Sequence, residues 1–530
     1  MRKRTVRFIG VCVSAAMLAG TCAAAFAGCT GVQQGDTNIG GWVDEDGNIS
    51  VTEDVTIDFW GWGGQAEQDI YQTMCNVFMS QHSNFTINYT GYTSAQYVQN
   101  LTNAANDMPD VFYMPDTEFL SWVTQGVLWD FSEYVSQEEL SAIWEEGYDR
   151  YYYDSETHAL GYSESETVGL YALPKDIGPF QFCYNETLLR QALEHWNTQN
   201  PSQAVTYEDF AAQYFDENDP MTWEEFIAVG AMLKPWCDSQ NKYVLSHYEL
   251  YAALYSNNAD FVTDDGSASR IDEPQFAAAL QYMHDLAFEH GLMAGSAGSS
   301  TTTGYSSFIG GNSIFSFLGP WDCATVWGTT PTSPNPLSYT LKLVPVPYGP
   351  GADDVYGTQD DGDSVCQVGS MGYAISANNT TSALQRAAAL QFVKWLCYDE
   401  DAQRTLYQLG QQTPNIIEMA QGEYLEMETV QSYMGTTVQV NPSNLSVFLN
   451  VIDGTGEKTA EGGGTYTDKV GGRMRTQVRT LRTEWYNEWS TVVSNYNFWT
   501  DAEATGAGLV AAFRDVLQGW LDDYNATLGR

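Results

Sequence analysis

From Val55 onward the apolar residues switch repeatedly between two periods, and that alternation constrains the fold more than any other feature. Val55-Thr56-Ile57-Asp58-Phe59-Trp60 alternates as a strand with one buried face, and Gly61-Trp62-Gly63-Gly64 turns the chain. Ile70, Met74, Val77 and Phe78 then recur at helical spacing, and Phe85 to Tyr89 reads as the next strand. A second helix, capped by Ser94, carries Tyr97, Leu101, Ala104 and Ala105 inward and ends before Pro109. Val111 to Met114 is a third strand, and a third helix carries Phe119, Leu120 and Val123, with Gly126 at its C-terminal cap. Strands separated by helices imply crossover units, hence a parallel sheet with helices on both faces. Ligands of such sheets sit beyond the carboxyl ends of the strands. Trp60 and Trp62 stand there after the first strand, and Met114, Pro115 and Asp116 after the third.

The pattern then leaves one body and enters another. Tyr171-Ala172-Leu173-Pro174-Lys175 leads in extended form into Gln181-Phe182-Cys183-Tyr184-Asn185. Thr222 to Glu225 is a capping box for a helix burying Phe226, Val229 and Leu233, and a further helix runs through Phe276, Leu280, Met283 and Leu286. The Gly/Ser/Thr tract from Gly295 to Gly304 reads as a loop. Leu341 to Pro347 is a second extended crossover, after which Val368 to Ile375 and a helix with Leu384, Ala388, Phe392 and Trp395 repeat the strand–helix pattern. The tail is helical, with Val470 to Trp485 and Leu509 to Trp520 each keeping an apolar face. The expected architecture is α/β, a two-lobe clamp with hinge crossovers and a helical C-terminal extension. One lobe spans 55–174 plus 345–410, and the other 175–344 plus 411–530.

Gly319-Pro320-Trp321-Asp322 closes the apolar run Gly310 to Leu318. A strand that ends in a rigid turn presents an indole, and a fixed aromatic face suits the C–H face of a sugar ring. Asp322 beside it is a candidate acceptor for hydroxyl groups. Packing between two layers is the alternative use for such a tryptophan.

The N-terminus fixes the compartment. Arg2, Lys3, Arg4 and Arg7 precede an apolar stretch from Phe8 to Leu18, and Phe26-Ala27-Gly28-Cys29 closes it, as in a secretory signal over 1–28. The Ala-Gly-Cys ending resembles a bacterial lipobox, with Cys29 the residue that would be acylated, although Phe26 stands where leucine is preferred. Residues 29–54 are polar and aperiodic and read as a flexible tether. No other apolar run is long enough to span a bilayer.

A net charge of −45 repels nucleic acid and anionic lipid, which excludes both as partners. The densest acidic run, Asp360-Asp361-Gly362-Asp363, lacks the ligand spacing of a calcium loop, and no metal or cofactor is expected. Cys75, Cys183, Cys237, Cys323, Cys366 and Cys397 stand singly, which argues against zinc and redox centres and leaves any pairing open.

Taken in order, these segments resemble the family 1 extracellular solute-binding proteins of ABC importers, the group with maltose-type sugar receptors. The matching pieces are the first strand into Trp60, Tyr97-Val98-Gln99-Asn100-Leu101, Pro109-Asp110-Val111-Phe112-Tyr113-Met114, Gly126-Val127-Leu128, Leu173-Pro174-Lys175-Asp176 with Tyr184-Asn185, Thr222-Trp223-Glu224-Glu225-Phe226, Gly319-Pro320-Trp321, Val344-Pro345-Val346-Pro347, and the helix Ala387 to Leu396. The resemblance covers roughly residues 55 to 415. It implies a monomeric receptor, tethered outside the cell, that closes on an oligosaccharide and delivers it to permease subunits. It also implies that Trp321 stacks on a sugar ring and that Asp116 supplies polar contacts. The expected binding mode sandwiches sugar faces between Trp321 of one lobe and Trp60 or Trp62 of the other, with Asp116, Asp322 and Tyr97 taking hydroxyls. Trp485, Trp489 and Trp499 in the longer tail either line the cleft or pack core.

Two other classes compete with this one. A secreted glycoside hydrolase needs two carboxylates across a cleft, and an acidic chain supplies carboxylates everywhere. There is no Gly-x-Ser-x-Gly and no His-Glu-x-x-His, and Gly454 to Thr459 lacks the glycine before lysine of a phosphate loop. The expectation is a binding protein, not an enzyme. A receptor of the same fold for peptides or polyols is the nearer alternative.

Overall fold

The computed structural model describes residues 38–527 apart from 46, 105–106, 218, 264–265, 294–300, 359, 370, 381, 453–455, 460–464, 469–473 and 476–482. The expected signal segment over 1–28 and Cys29 therefore lie outside the described residues.

The first lobe is built on a five-stranded sheet ordered Phe85–Tyr92, Val55–Trp62, Val111–Pro115, Met371–Ile375, Ala172–Pro174. The first three strands are parallel, as the crossover pattern predicts, whereas Met371–Ile375 runs antiparallel to both of its neighbours because the chain re-enters this lobe from the other one. Helices cover both faces. Phe59 meets Tyr71 of the helix Gln65–Gln81 and Phe392 of the helix Ala383–Tyr398 edge to face, at 6.3 and 5.4 Å, and all three are fully buried. On the opposite face Trp62 packs on Tyr97, and Phe112 on Trp122. Each large ring buried this way contributes about 2 to 3 kcal/mol by removing apolar surface from water.

The second lobe holds a four-stranded sheet ordered Leu341–Leu343, Gln181–Asn185, Ser313–Leu318, Tyr243–Leu245. Its core stacks Phe182 on Phe315 at 5.4 Å, with Phe226 edge-on to both. The expected capping box is present, with the Thr222 hydroxyl accepting the Glu225 N–H and the Glu225 carboxylate accepting the Thr222 N–H. The exposed edge of Leu341–Leu343 is blunted by amide side chains, since Asn441 accepts the Leu341 N–H and Asn444 the Leu343 N–H. The tail helix Gly506–Thr527 docks on the helix Pro274–Phe288, and Thr483–Asn495 packs against Gly506–Thr527. Trp489 sits in the second lobe's core against Phe261 and Phe513, and Trp499 packs against Phe498, so both tryptophans serve packing. The Trp485 side chain lies outside the described residues.

Three boundaries differ from those expected. Residues 38–54 are not a tether: Ile39 and Val51 are buried in the first lobe, Val43 bridges Ile49, and Asn84 donates to the carbonyls of Val51 and Glu53. The tract Gly295–Gly304 is not wholly loop either, because a helix Thr301–Ile309 begins inside it. Residues 345–365 belong to the second lobe. Val344, Val346 and Val365 enter its core, and Trp223 and Gly349 bond the stretch to it through Pro347 and Ser256.

Among the described residues the chain passes between lobes three times. The first passage runs from Ala172–Pro174 through Gly178–Pro179 into Gln181–Asn185. The second is Cys366–Gly369, which pairs antiparallel with Gly178–Pro179 and also takes Met474–Arg475 as a parallel neighbour. The third lies at Thr413–Asn415, where Thr413 donates to the Ile177 carbonyl and Asn415 to that of Pro174. Cys75, Cys183, Cys237, Cys323 and Cys397 are buried free thiols.

Candidate ligand-binding cleft

On the first lobe the carboxyl ends of the strands bring together Trp62, Pro115 and the start of the returning strand, where Met371 pairs with Pro115. Trp60 and Trp62 are both half-buried on the same face of their strand. Trp60 meets Tyr92 edge to face at 5.1 Å, and Trp62 meets Tyr97 at 5.5 Å. Tyr97 is fully buried, and its hydroxyl donates to the carbonyls of Tyr113 and Trp60 at 2.8 and 3.2 Å. This corrects its expected role. A hydroxyl committed to two backbone carbonyls and closed off from solvent does not meet a sugar, so Tyr97 instead holds Trp62 and the strand ends in place. Asp116 opens the helix Asp116–Thr124 directly after Pro115, and its side chain lies outside the described residues.

Beneath these residues lies a charged group that spacing alone did not single out. Lys175, almost wholly buried, sits 2.6 Å from Asp176 and 3.2 Å from Glu67, with its ammonium over the rings of Tyr71 and Tyr113. Burial opposes the Lys175 charge, but the carboxylates of Asp176 and Glu67 outweigh it and hold the ammonium above its ordinary range. Burial raises the Glu67 carboxyl even beside Lys175. The Lys175 N–H and the Asp176 carboxylate both bond the backbone of Met371, so one cluster ties the Trp62 loop, the first passage and the second together.

On the second lobe, Ser313–Leu318 ends in the expected turn. Gly319 donates to the Asp322 carboxylate at 2.9 Å while the Asp322 N–H returns to the Gly319 carbonyl at 3.0 Å. Pro320 fixes the first residue of this single helical turn, and a Cβ added to Gly319 would fall 2.3 Å from the Trp321 ring, so only glycine lets the indole lie back across the turn. Trp321 is half-buried and stacks on Phe180, with 5.7 Å between centroids and 6° between planes. Burial pushes the Asp322 carboxyl up to about 7, the Gly319 N–H pulls it down, and the nearby Glu249 adds to the rise. Asp322 therefore acts first as the cap that sets Trp321.

Sequence reasoning missed His247 and Glu249, which follow the short strand Tyr243–Leu245. His247 donates from Nε2 to Glu249 at 3.0 Å and contacts Ser246 through Nδ1 at 3.0 Å, and Ser246 donates to Ser316 at 2.7 Å. Gln367, on the second passage, donates to Glu249 at 3.4 Å. Gly304 makes this packing fit, because a Cβ there would meet His247 at 2.3 Å. No local signal marks this cluster; only the pairing of Tyr243–Leu245 with Ser313–Leu318 assembles it. The predicted residues thus form two groups, Trp60, Trp62 and Tyr97 on one lobe and Trp321 and Asp322 on the other, joined through the passages. No cluster of metal-binding side chains and no helix long and apolar enough to cross a membrane occurs among the described residues.

Comparison with known proteins agrees with this architecture. A search of curated sequences finds no match. Among solved structures, the ABC substrate-binding protein Lmo0181 from Listeria monocytogenes, in complex with cycloalternan, is similar over 89% of this chain and 99% of its own, at 16% identity and a TM-score of 0.61. The cyclic alpha-maltosyl-1,6-maltose binding protein from Arthrobacter globiformis matches over 88% and 99% of the two chains, at 17% identity and a TM-score of 0.58. Maltose-bound MalE3 of T. maritima matches over 88% and 99%, at 15% identity and a TM-score of 0.57. At such identities the likeness establishes the two-lobe fold. The family description "Bacterial extracellular solute-binding protein" matches residues 73–434, and the chain belongs to that family.

Proposed function

We propose that this protein is the extracellular receptor of an ABC importer, anchored through an acylated Cys29, that captures an oligosaccharide between its lobes and delivers it to permease subunits. The observation that carries this reading is the Trp321 indole, only partly buried, held flat on Phe180 in a turn capped by Asp322. A rigid aromatic face offers a sugar ring contact area at little cost in entropy. Trp62, with Trp60 behind it, supplies the facing aromatic surface, and the open end of the Asp116 helix takes hydroxyls. Similar proteins were solved with cycloalternan and maltose bound.

The mechanism is closure of a monomer. Ligand bridging both lobes contacts the closed form more fully than the open one and shifts the population by that difference. No chemistry at a bond is required, and no cofactor.

A thermal-shift screen of the mature chain against maltotriose, β-1,6-galactobiose, cyclic maltosyl-maltose, short peptides and polyols tests the reading. Ligand at 100 times its Kd stabilises the folded state by about 2.7 kcal/mol, which raises Tm. One oligosaccharide series is expected to do so and to be recovered uncleaved. Stabilisation by peptides alone, or recovery of shortened sugar, overturns it.

A further inference from the structure

Three aromatic rings lie nearly parallel across the second lobe. Phe317, on the strand Ser313–Leu318, stacks on Phe180 at 5.9 Å and 15°, and Phe180 stacks on Trp321 at 5.7 Å and 6°. Phe317 is buried and wedged by Phe182, Tyr248 and His247, so the inner end of the stack cannot shift. Phe180 is the middle ring and stands between Gly178–Pro179 and Gln181–Asn185, in the first passage itself. Its N–H donates to the Gln367 carbonyl of the second passage at 2.9 Å.

We propose that Phe180 is a positioning residue for ligand binding, holding the Trp321 indole parallel to the stack and in register with the hinge. This rests on the sugar-receptor reading of the site. The turn Gly319–Asp322 fixes the backbone of Trp321 but leaves its side-chain torsions free, and a flat ring against one face selects a single rotamer. An aliphatic side chain of similar volume fills the space without selecting the plane. Aromatic pairing of this kind is worth roughly a fivefold to tenfold change in an equilibrium constant.

The test compares Phe180→Leu with Phe180→Tyr, each alone and combined with Trp321→Ala, in protein labelled with 5-fluorotryptophan. The Trp321 fluorine resonance is identified by its loss in Trp321→Ala. In the intact protein and in Phe180→Tyr it is expected to be one line carrying the ring-current shift of a stacked neighbour. In Phe180→Leu it is expected to lose that shift and broaden. Affinity for the oligosaccharide that stabilises the protein is expected to fall about fivefold to tenfold in Phe180→Leu, to return in Phe180→Tyr, and to fall no further when Phe180→Leu is added to Trp321→Ala. An unshifted fluorine line in Phe180→Leu, or a full additional loss of affinity in the double variant, overturns the proposal. Absence of binding by every sugar overturns the receptor reading instead, and the fluorine shift still decides whether Phe180 holds the indole.

Discussion

Glu67, in the first turn after the Trp62 loop, and Lys175, at the mouth of the first passage, meet at 3.2 Å with little solvent between them. The contact joins residues more than a hundred positions apart and fastens the aromatic loop of one lobe to the hinge. Its strength lies in what its loss would leave behind. The Lys175 ammonium lies against both carboxylates, so Lys175→Met removes the positive charge that faces Glu67 in a buried site. The expected cost is about 3 to 5 kcal/mol, measured by urea unfolding. A loss below 1 kcal/mol would mean that water already reaches the cluster.

Gly319→Ala tests the position of the platform without removing it. A methyl group at this site meets the indole at 2.3 Å, so Trp321 must swing away while the fold, with ordinary backbone angles at this residue, stays intact. Sugar affinity is expected to drop by about tenfold or more, with Tm nearly unchanged. Equal affinity would show that the indole's orientation is immaterial.

Asp322 gives a pH dependence with a definite sign. Its carboxyl moves from an ordinary 3.8 to about 7 in the folded protein, so between those values the native state binds more protons than the unfolded one. This residue's contribution to stability is therefore greatest below about 3.8 and lost as pH rises towards about 7. Asp322→Asn keeps an acceptor for the Gly319 N–H and removes the titration. The stability of the native chain relative to this variant is expected to decline from pH 4 to pH 7, as read from paired denaturant curves. A difference that is flat with pH would remove Asp322 as the source.

Trp489 separates the tail's packing role from a ligand role. Trp489→Ala empties a pocket between Phe261 and Phe513 and should destabilise the protein by about 3 to 5 kcal/mol. Affinity at a temperature where the variant remains folded is expected to be unchanged, and a loss there would place the tail at the cleft.

The first lobe's strand–helix alternation was legible because one face of each element is apolar and the period is local. The Gly319–Asp322 turn was legible too, since a proline and a glycine around a tryptophan leave few conformations. Tyr97 shows where such reasoning divides: its helical spacing put it inward, its hydroxyl suggested ligand, and packing won because two backbone carbonyls lay within reach. Residues 38–54 misled because two isolated anchors, Ile39 and Val51, set no period in a polar stretch. Leu341 to Pro347 looked like a passage because it is extended, yet Val344 and Val346 enter the second lobe's core and the chain leaves only at Cys366. The Lys175 and Glu249 clusters join segments distant in sequence, and only the fold brings them together.

Isothermal titration of the mature chain and of Trp321→Ala with the stabilising oligosaccharide tests the central claim most directly. One sugar per chain, with a loss of about 2 kcal/mol or some thirtyfold in the variant, is the predicted result. Equal affinity in the two proteins would contradict it and take Trp321 out of the site.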